Sequence, residues 1–229
     1  MTVLAPVAVM AFRRHSTYRM ATAAAVLENV VVSMLRGFVY VAVAEAAGIE
    51  DFGAAEAMTF AFVSGLIESS FWIVIPLELG ERIRSGDVIT DLYRPVDLQG
   101  WLLATEIGRC GFNLLGRGVP QVLVAFIVFD LVALPSPGSF LLFLGSVALA
   151  FVVGFSWKFV VALTGFWLLD VRGVSTLAGS FVMVASGAVL PLALLPDPIA
   201  DVLRWLPPAS MVNTPVELFN GTGSAAPRL

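Results

Sequence analysis

Residues 139–169 read SFLLFLGSVALAFVVGFSWKFVVALTGFWLL, a run from Ser139 to Leu169 in which Lys158 is the single charge. About 20 apolar residues suffice to cross a hydrocarbon core of roughly 30 Å. At about 1.5 Å per residue this run measures about 46 Å, too long for one untilted crossing. It therefore predicts a helix that either extends beyond the membrane or breaks near Gly154. Lipid cannot satisfy open backbone groups, so a run of this kind must be helical. A membrane barrel would alternate in segments of about ten residues, and no such alternation is present.

Four further segments repeat the pattern. They are Met20 to Gly48, broken by Glu28, Arg36 and Glu45; Ala57 to Leu79, with Glu68 its only charge before Glu78; Gly118 to Leu134, with Asp130 near its end and a helix start as far back as Trp101; and Gly173 to Pro196, without charge. Composition agrees. The chain has 229 residues, 59% hydrophobic and 13% charged, with a mean hydropathy of +0.92. An ordinary soluble domain has about 45–50% and about 25%, and a chain of this size must still cover its exterior with polar groups. Thirteen Lys and Arg against seventeen Asp and Glu give a net charge of −4, which disfavours nucleic acid as a partner. One cysteine, Cys110, and one histidine, His15, exclude a disulfide scaffold and a zinc site. The expected fold is all-α: one transmembrane domain over residues 1–229 with five visible spans.

The connections orient it. Arg13, Arg14 and Arg19 precede the first span; Glu45, Glu50, Asp51 and Glu56 lie between the first and second; Arg82, Arg84, Arg94, Arg109 and Arg117 lie between the second and third. The link Pro135-Ser136-Pro137-Gly138 is uncharged, and Lys158, Asp170 and Arg172 lie near the link from the fourth span to the fifth. Basic residues on every second connection put the N-terminus and residues 80–117 in the cytoplasm, in a multi-pass protein of the cell membrane. The apolar run Val3 to Phe12 precedes its arginines, the reverse of a cleavable signal. It predicts an interfacial helix within residues 1–19, lying on the bilayer's cytoplasmic face.

Two polar segments carry the rest. Residues 81–95 read ERIRSGDVITDLYRP. Ser85 can cap a short helix with Asp87 in its first turn. Val88 and Leu92 then share one face, Ile89 and Tyr93 another, and Pro95 closes the element at Arg94. A helix of about two turns is not stable alone in water, so it docks either on the chain's own cytoplasmic ends or in a groove on a cytoplasmic partner. Residues 186–208 read SGAVLPLALLPDPIADVLRWLPP. Pro191 should kink or end the fifth span. Pro198 suits a helix start, and Ile199, Val202, Leu203 and Leu206 form an apolar face before Pro207. The segment reads as a short helix at the outer interface, re-entrant or a simple capping loop.

With these residues in place the chain resembles the permeases of ATP-binding-cassette (ABC) type-2 exporters, of the small-permease branch. The motif Ile83, Ser85, Gly86, Leu92, Arg94, Pro95 follows the second span. Gly187, Pro191, Leu192, Leu195, Pro196, Leu206 and Pro207 supply the second pattern. The order of elements agrees over residues 10–220. The resemblance implies a coupling element at 80–100, in which Arg82, Arg84, Ser85, Gly86, Asp87, Asp91, Leu92, Tyr93, Arg94 and Pro95 meet a separately encoded ATPase. That subunit, as a pair, binds ATP and Mg; this chain binds no cofactor. The resemblance also implies a second permease, identical or paralogous, and an outer hairpin at 196–220, with Gly187, Pro191, Pro196, Leu206 and Pro207 as the outer-gate residues in and just before it. The family plan has six spans. No apolar run follows Phe219, and five spans would leave the C-terminus outside.

Inside the membrane, Glu28 and Arg36 stand two turns apart, too far for a direct pair on one helix. Glu68, flanked by Ser64, Ser69 and Ser70, forms a polar band. It lines the pathway or the contact between permeases, or is a buried glutamate held by a neighbouring helix. Asp130 is expected to reach water, Lys158 to snorkel to the cytoplasmic surface, His15 to lie on the surface and Cys110 to be a small packing residue. No glycine-rich P-loop is present, so the chain is not expected to be an enzyme. Asn220-Gly-Thr222 matches a glycosylation pattern, a chance match unless the host secretes through an endoplasmic reticulum. The expected function is a permease that moves a hydrophobic substrate such as a drug or lipid outward with a partner's ATP. The alternatives are an ATP-independent secondary transporter or channel, for which matching inverted halves are missing, and a membrane assembly factor.

Overall fold

The computed structural model describes residues 4–49, 52–71, 77–129, 131, 136–168 and 170–220. Glu50, Asp51, Asp130, Pro135 and the stretch 221–229, on which expectations were placed, lie outside the described residues.

All regular elements among the described residues are helical. In chain order they are α1 (Leu4–Ser16), α2 (Arg19–Ala47), α3 (Ala54–Phe71), α4 (Leu77–Ser85), α5 (Val88–Leu92), α6 (Leu98–Asn113), α7 (Val119–Val128), α8 (Pro137–Leu163), α9 (Arg172–Ala185), α10 (Asp197–Arg204) and α11 (Asn213–Asn220). Among them, three stretches are long and apolar enough to cross a membrane: Arg19–Ala47, Leu98–Val128 and Pro137–Phe166.

Local chemistry sets the ends. Gly48, at φ 66°, closes α2 with its N–H on the Ala44 and Glu45 carbonyls, a conformation that costs glycine little. Asp97 accepts the Gly100 N–H at 2.6 Å to start α6, and Ser136 accepts from Ser139 N–H to start α8, each satisfying a free first-turn donor. Helices α6 and α7 are one rod joined by a π-helical turn, Leu114–Gly118. Pro120 has no N–H and would crowd the carbonyl four residues back, so the wider turn relieves it.

Helix α3 is the hub. Every residue from Ala57 to Ser64 is buried, because α2, the α6–α7 rod, α8 and α11 surround it. Ser33, Gly37, Tyr40 and Ala44 of α2 are buried at helical spacing. A Cβ on Gly37 would strike the Met58 sulfur of α3, so glycine sets how closely the two helices approach. Leu27, Leu35 and Phe38, off that face, are exposed and suit lipid contact.

Several boundaries differ from expectation. Of the segment expected to cross as Ala57–Leu79, residues 57–71 lie in α3 and Leu77–Leu79 in α4, and residues 72–76 lie outside the described residues. The third helix starts at Leu98, so Arg109 and Arg117 lie within a membrane-length rod and not in a connection. The fourth runs unbroken through Gly154 to Leu163 and then tightens into a 3-10 turn, Thr164–Phe166. The fifth stops at Ala185 after 14 residues, fewer than the roughly 20 of a full crossing. It ends six positions before Pro191, at a turn where Gly187 takes φ 78°.

Candidate functional site

Residues 77–95 fold as two short helices and not as one. Ser85 closes α4, Gly86 reverses the chain at φ 83°, and Asp87 precedes the five-residue α5 without capping it through its side chain. The Ser85 hydroxyl donates to the Asp87 carboxylate at 2.7 Å. The expected two-turn helix capped by Ser85 is therefore corrected: a left-handed residue cannot continue a helix, and glycine is the residue that adopts it without strain.

Ion pairs hold the corner. Asp91 takes Arg82 at 2.6 Å and Arg94 at 3.6 Å, and Arg94 lies over the Trp101 ring at 5.7 Å. Val88 is buried with Leu79 and Ala162, so α5 is pinned to the end of α8. Leu92, expected on the same face as Val88, instead points outward. Ile89, Leu92 and Tyr93 are 55%, 59% and 85% exposed. Pro95 is exposed in the turn before α6. Helix α4 is tied to the link between α8 and α9: Gly80 abuts Val171 so closely that any Cβ would clash, and Glu81–Arg172 and Arg84–Asp170 pair at 3.4 and 3.8 Å.

At membrane depth, one Arg36 nitrogen contacts both Glu68 carboxylate oxygens at 2.8 Å, joining α2 to α3. Glu28 is exposed and makes no ion pair among the described residues. Two polar clusters were missed from sequence. The Gln121 amide donates to Ser33 at 2.8 Å and to the Phe62 carbonyl at 3.3 Å, locking α7, α2 and α3 together. Glu106 pairs with Arg109 at 2.5 Å and with Lys158 at 3.4 Å, while Lys158 also donates to the Phe71 carbonyl of α3. Lys158 is thus buried and does not snorkel: a carboxylate and a backbone carbonyl lie within reach, and both accept from its ammonium. Only the i, i+3 spacing of Glu106 and Arg109 hinted at this cluster.

His15 is half-buried on α1, stacked against Phe112 at 6.4 Å, and not a free surface residue. Burial first, then Arg109, Arg14 and Arg117, hold its imidazole below the ordinary histidine range, with Glu106 opposing. Cys110 is buried.

The other end of the bundle is closed by residues 186–220. Tyr40 of α2 donates to the Ala188 and Val189 carbonyls at 3.3 and 3.1 Å. Asn213 accepts from Leu192 N–H, and its own N–H reaches the Ser186 carbonyl at 3.1 Å. A Cβ on Gly187 would come within 3.2 Å of the Asn213 oxygen. Pro191 starts a 3-10 turn, Leu192–Leu194, and Pro196 precedes α10. Pro207 opens a second such turn, Pro207–Met211, immediately after the half-buried Leu206. Ile199, Val202 and Trp205 of this hairpin face outward, while Leu194, Val212 and Val216 enter the main core.

Membrane-length helices around a buried hub, with ionised side chains paired between them, define a polytopic membrane protein. A family model described as ABC-2 family transporter protein matches residues 29–226, so the chain belongs to that family and is a membrane permease of an ABC-type transporter. Comparison with curated proteins and with solved structures finds no match.

Proposed function

We propose that the chain is the transmembrane subunit of an ATP-driven exporter for a hydrophobic substrate, with the α4–α5 corner as the contact for a separate ATPase pair. The observation that carries this reading is the corner itself. Ion pairs through Asp91 and burial of Val88 hold it in shape, yet Ile89, Leu92 and Tyr93 face away from the chain. Three apolar side chains on a pre-ordered turn are what a groove on a partner would take. Their orientation supports a division of labour between the two docking sites: Val88 packs on the chain's own end, and its neighbours are left for a partner. ATP and Mg reside on that partner, and two permeases face each other across the pathway.

Closure of the ATPases would move α5, and through Val88 against Ala162 and Gly80 against Val171 the motion would pass to α8 and α9. Differential contact in the two states is what such a switch needs. The N-terminus lies in the cytoplasm, and the 186–220 hairpin lies at the outer end as a gate. The short α9, followed by buried irregular chain, supports a re-entrant hairpin, because such backbone is tolerated only where protein or water covers it.

The test is co-purification and substrate-stimulated ATPase activity of the complex. Leu92→Asp with Tyr93→Ser should cut both about tenfold or more, as loss of a central apolar anchor does, while membrane insertion is retained. An ATPase that stays bound and stimulated sinks the assignment of this corner. Arg84→Glu, by contrast, breaks a long, solvent-exposed pair with Asp170 and should have a small effect.

A further inference from the structure

Between α1, the α4–α5 corner and α6 lies a cavity of about 410 Å³, within the range of small-ligand sites. Its polar wall carries Arg14, Arg82, Arg94 and His15 against a single carboxylate, Asp91. Asp91 is already shared by Arg82 and Arg94, and Arg14 has no acidic partner among the described residues. Its other wall is apolar, from Val7 and Met10 of α1 to Leu98, Trp101 and Leu102 of α6. Burial is the first cause of the depressed His15 pKa, and the charges of Arg109, Arg14 and Arg117 add to it. Ile89, Leu92 and Tyr93 do not line the cavity, so the partner proposed above would leave it open.

The geometry points to a binding site for the phosphate headgroup of an anionic phospholipid, whose acyl chains run over Met10 and Trp101. An excess of guanidinium charge recognises phosphate. The apolar wall, beside an amphipathic helix whose charges cluster at one end, suits lipid better than a soluble anion. Arg94 lies over the Trp101 ring and lines the same space, so cation–π stacking helps hold a guanidinium there. Such a lipid would bridge α1 to the corner and so stiffen it. The inference rests on the membrane reading of the chain and not on the ATPase, so the two can fail separately.

Native mass spectrometry of the full chain, released from micelles holding equal phosphatidylglycerol and phosphatidylcholine, tests it. Wild type should retain phosphatidylglycerol selectively. Arg14→Gln should lower that retention about fivefold, the effect of one cation beside an anionic headgroup. Arg13→Gln, an equal charge change on the same helix but outside the cavity, should leave it unchanged. Free glycerol phosphate should not displace the lipid. Equal loss in both variants, equal retention of phosphatidylcholine, or displacement by glycerol phosphate overturns the proposal. A second readout needs no variant: one equivalent of phosphatidylglycerol should raise the titration midpoint of His15, the only histidine in the chain. An unmoved midpoint also overturns it.

Discussion

The Arg36–Glu68 pair offers the sharpest test of the packing. Two contacts of 2.8 Å join α2 to α3, and the side chains are 26% and 17% exposed. At an effective dielectric of about 20 and a charge separation of about 4 Å, the Coulomb attraction is about 4 kcal/mol. An exposed pair contributes about 0–1 kcal/mol, whereas breaking a fully buried one costs about 3–5 kcal/mol. Partial burial puts this pair between the two, so Glu68→Leu should destabilise by about 2–3 kcal/mol by leaving Arg36 without its carboxylate. Glu68→Gln keeps one acceptor and should cost less. The assay is unfolding in mixed micelles by added dodecyl sulfate, followed by circular dichroism, across a double-mutant cycle with Arg36→Leu. The coupling should be about 2 kcal/mol, and the exchange Arg36→Glu with Glu68→Arg should recover much of it. A coupling below about 0.5 kcal/mol would refute the claim that this pair fastens α2 to the hub.

A methyl at Gly65 would lie 2.5 Å from both the Gln121 amide nitrogen and the Ser33 hydroxyl. Those two groups are bonded to each other and cannot simply swing aside, so Gly65→Ala should cost about 1–3 kcal/mol of overpacking in the same assay, and an unchanged midpoint would contradict the packing. His15 gives a pH dependence. Its folded pKa lies below the unfolded value of 6.5, so folding favours the neutral imidazole. Stability is then fully present above 6.5 and declines as pH falls through 6.5 toward the lower folded value. His15→Gln should flatten the profile in that window, and a slope that persists in the variant would show that other groups cause it.

The transmembrane character was legible without coordinates, because apolar runs of membrane length leave the backbone no alternative to helix. The polar corner at 81–95 was also visible, as a dense group of charges in a chain with few. Its shape was not. Whether Ser85 caps a helix or ends one depends on the left-handed turn at Gly86, and glycine permits both. The break of the fifth segment at Ala185 escaped for a similar reason. Pro191 is the louder signal, yet the chain turns earlier, where Ser186 and Gly187 meet Asn213 from 27 positions away.

Charge content and helix type are properties of local sequence, and the sequence alone determined them: an all-helical membrane protein with a polar corner and a proline-rich end. Which charges meet is not local. Arg36 finds Glu68, and Lys158 finds Glu106 and the Phe71 carbonyl, across helices whose register is set by close approaches at Gly37 and Gly65. A buried charge is tolerated only beside its partner, so tertiary packing turned isolated and costly residues into the pairs that fasten α2, α3, α6 and α8 together.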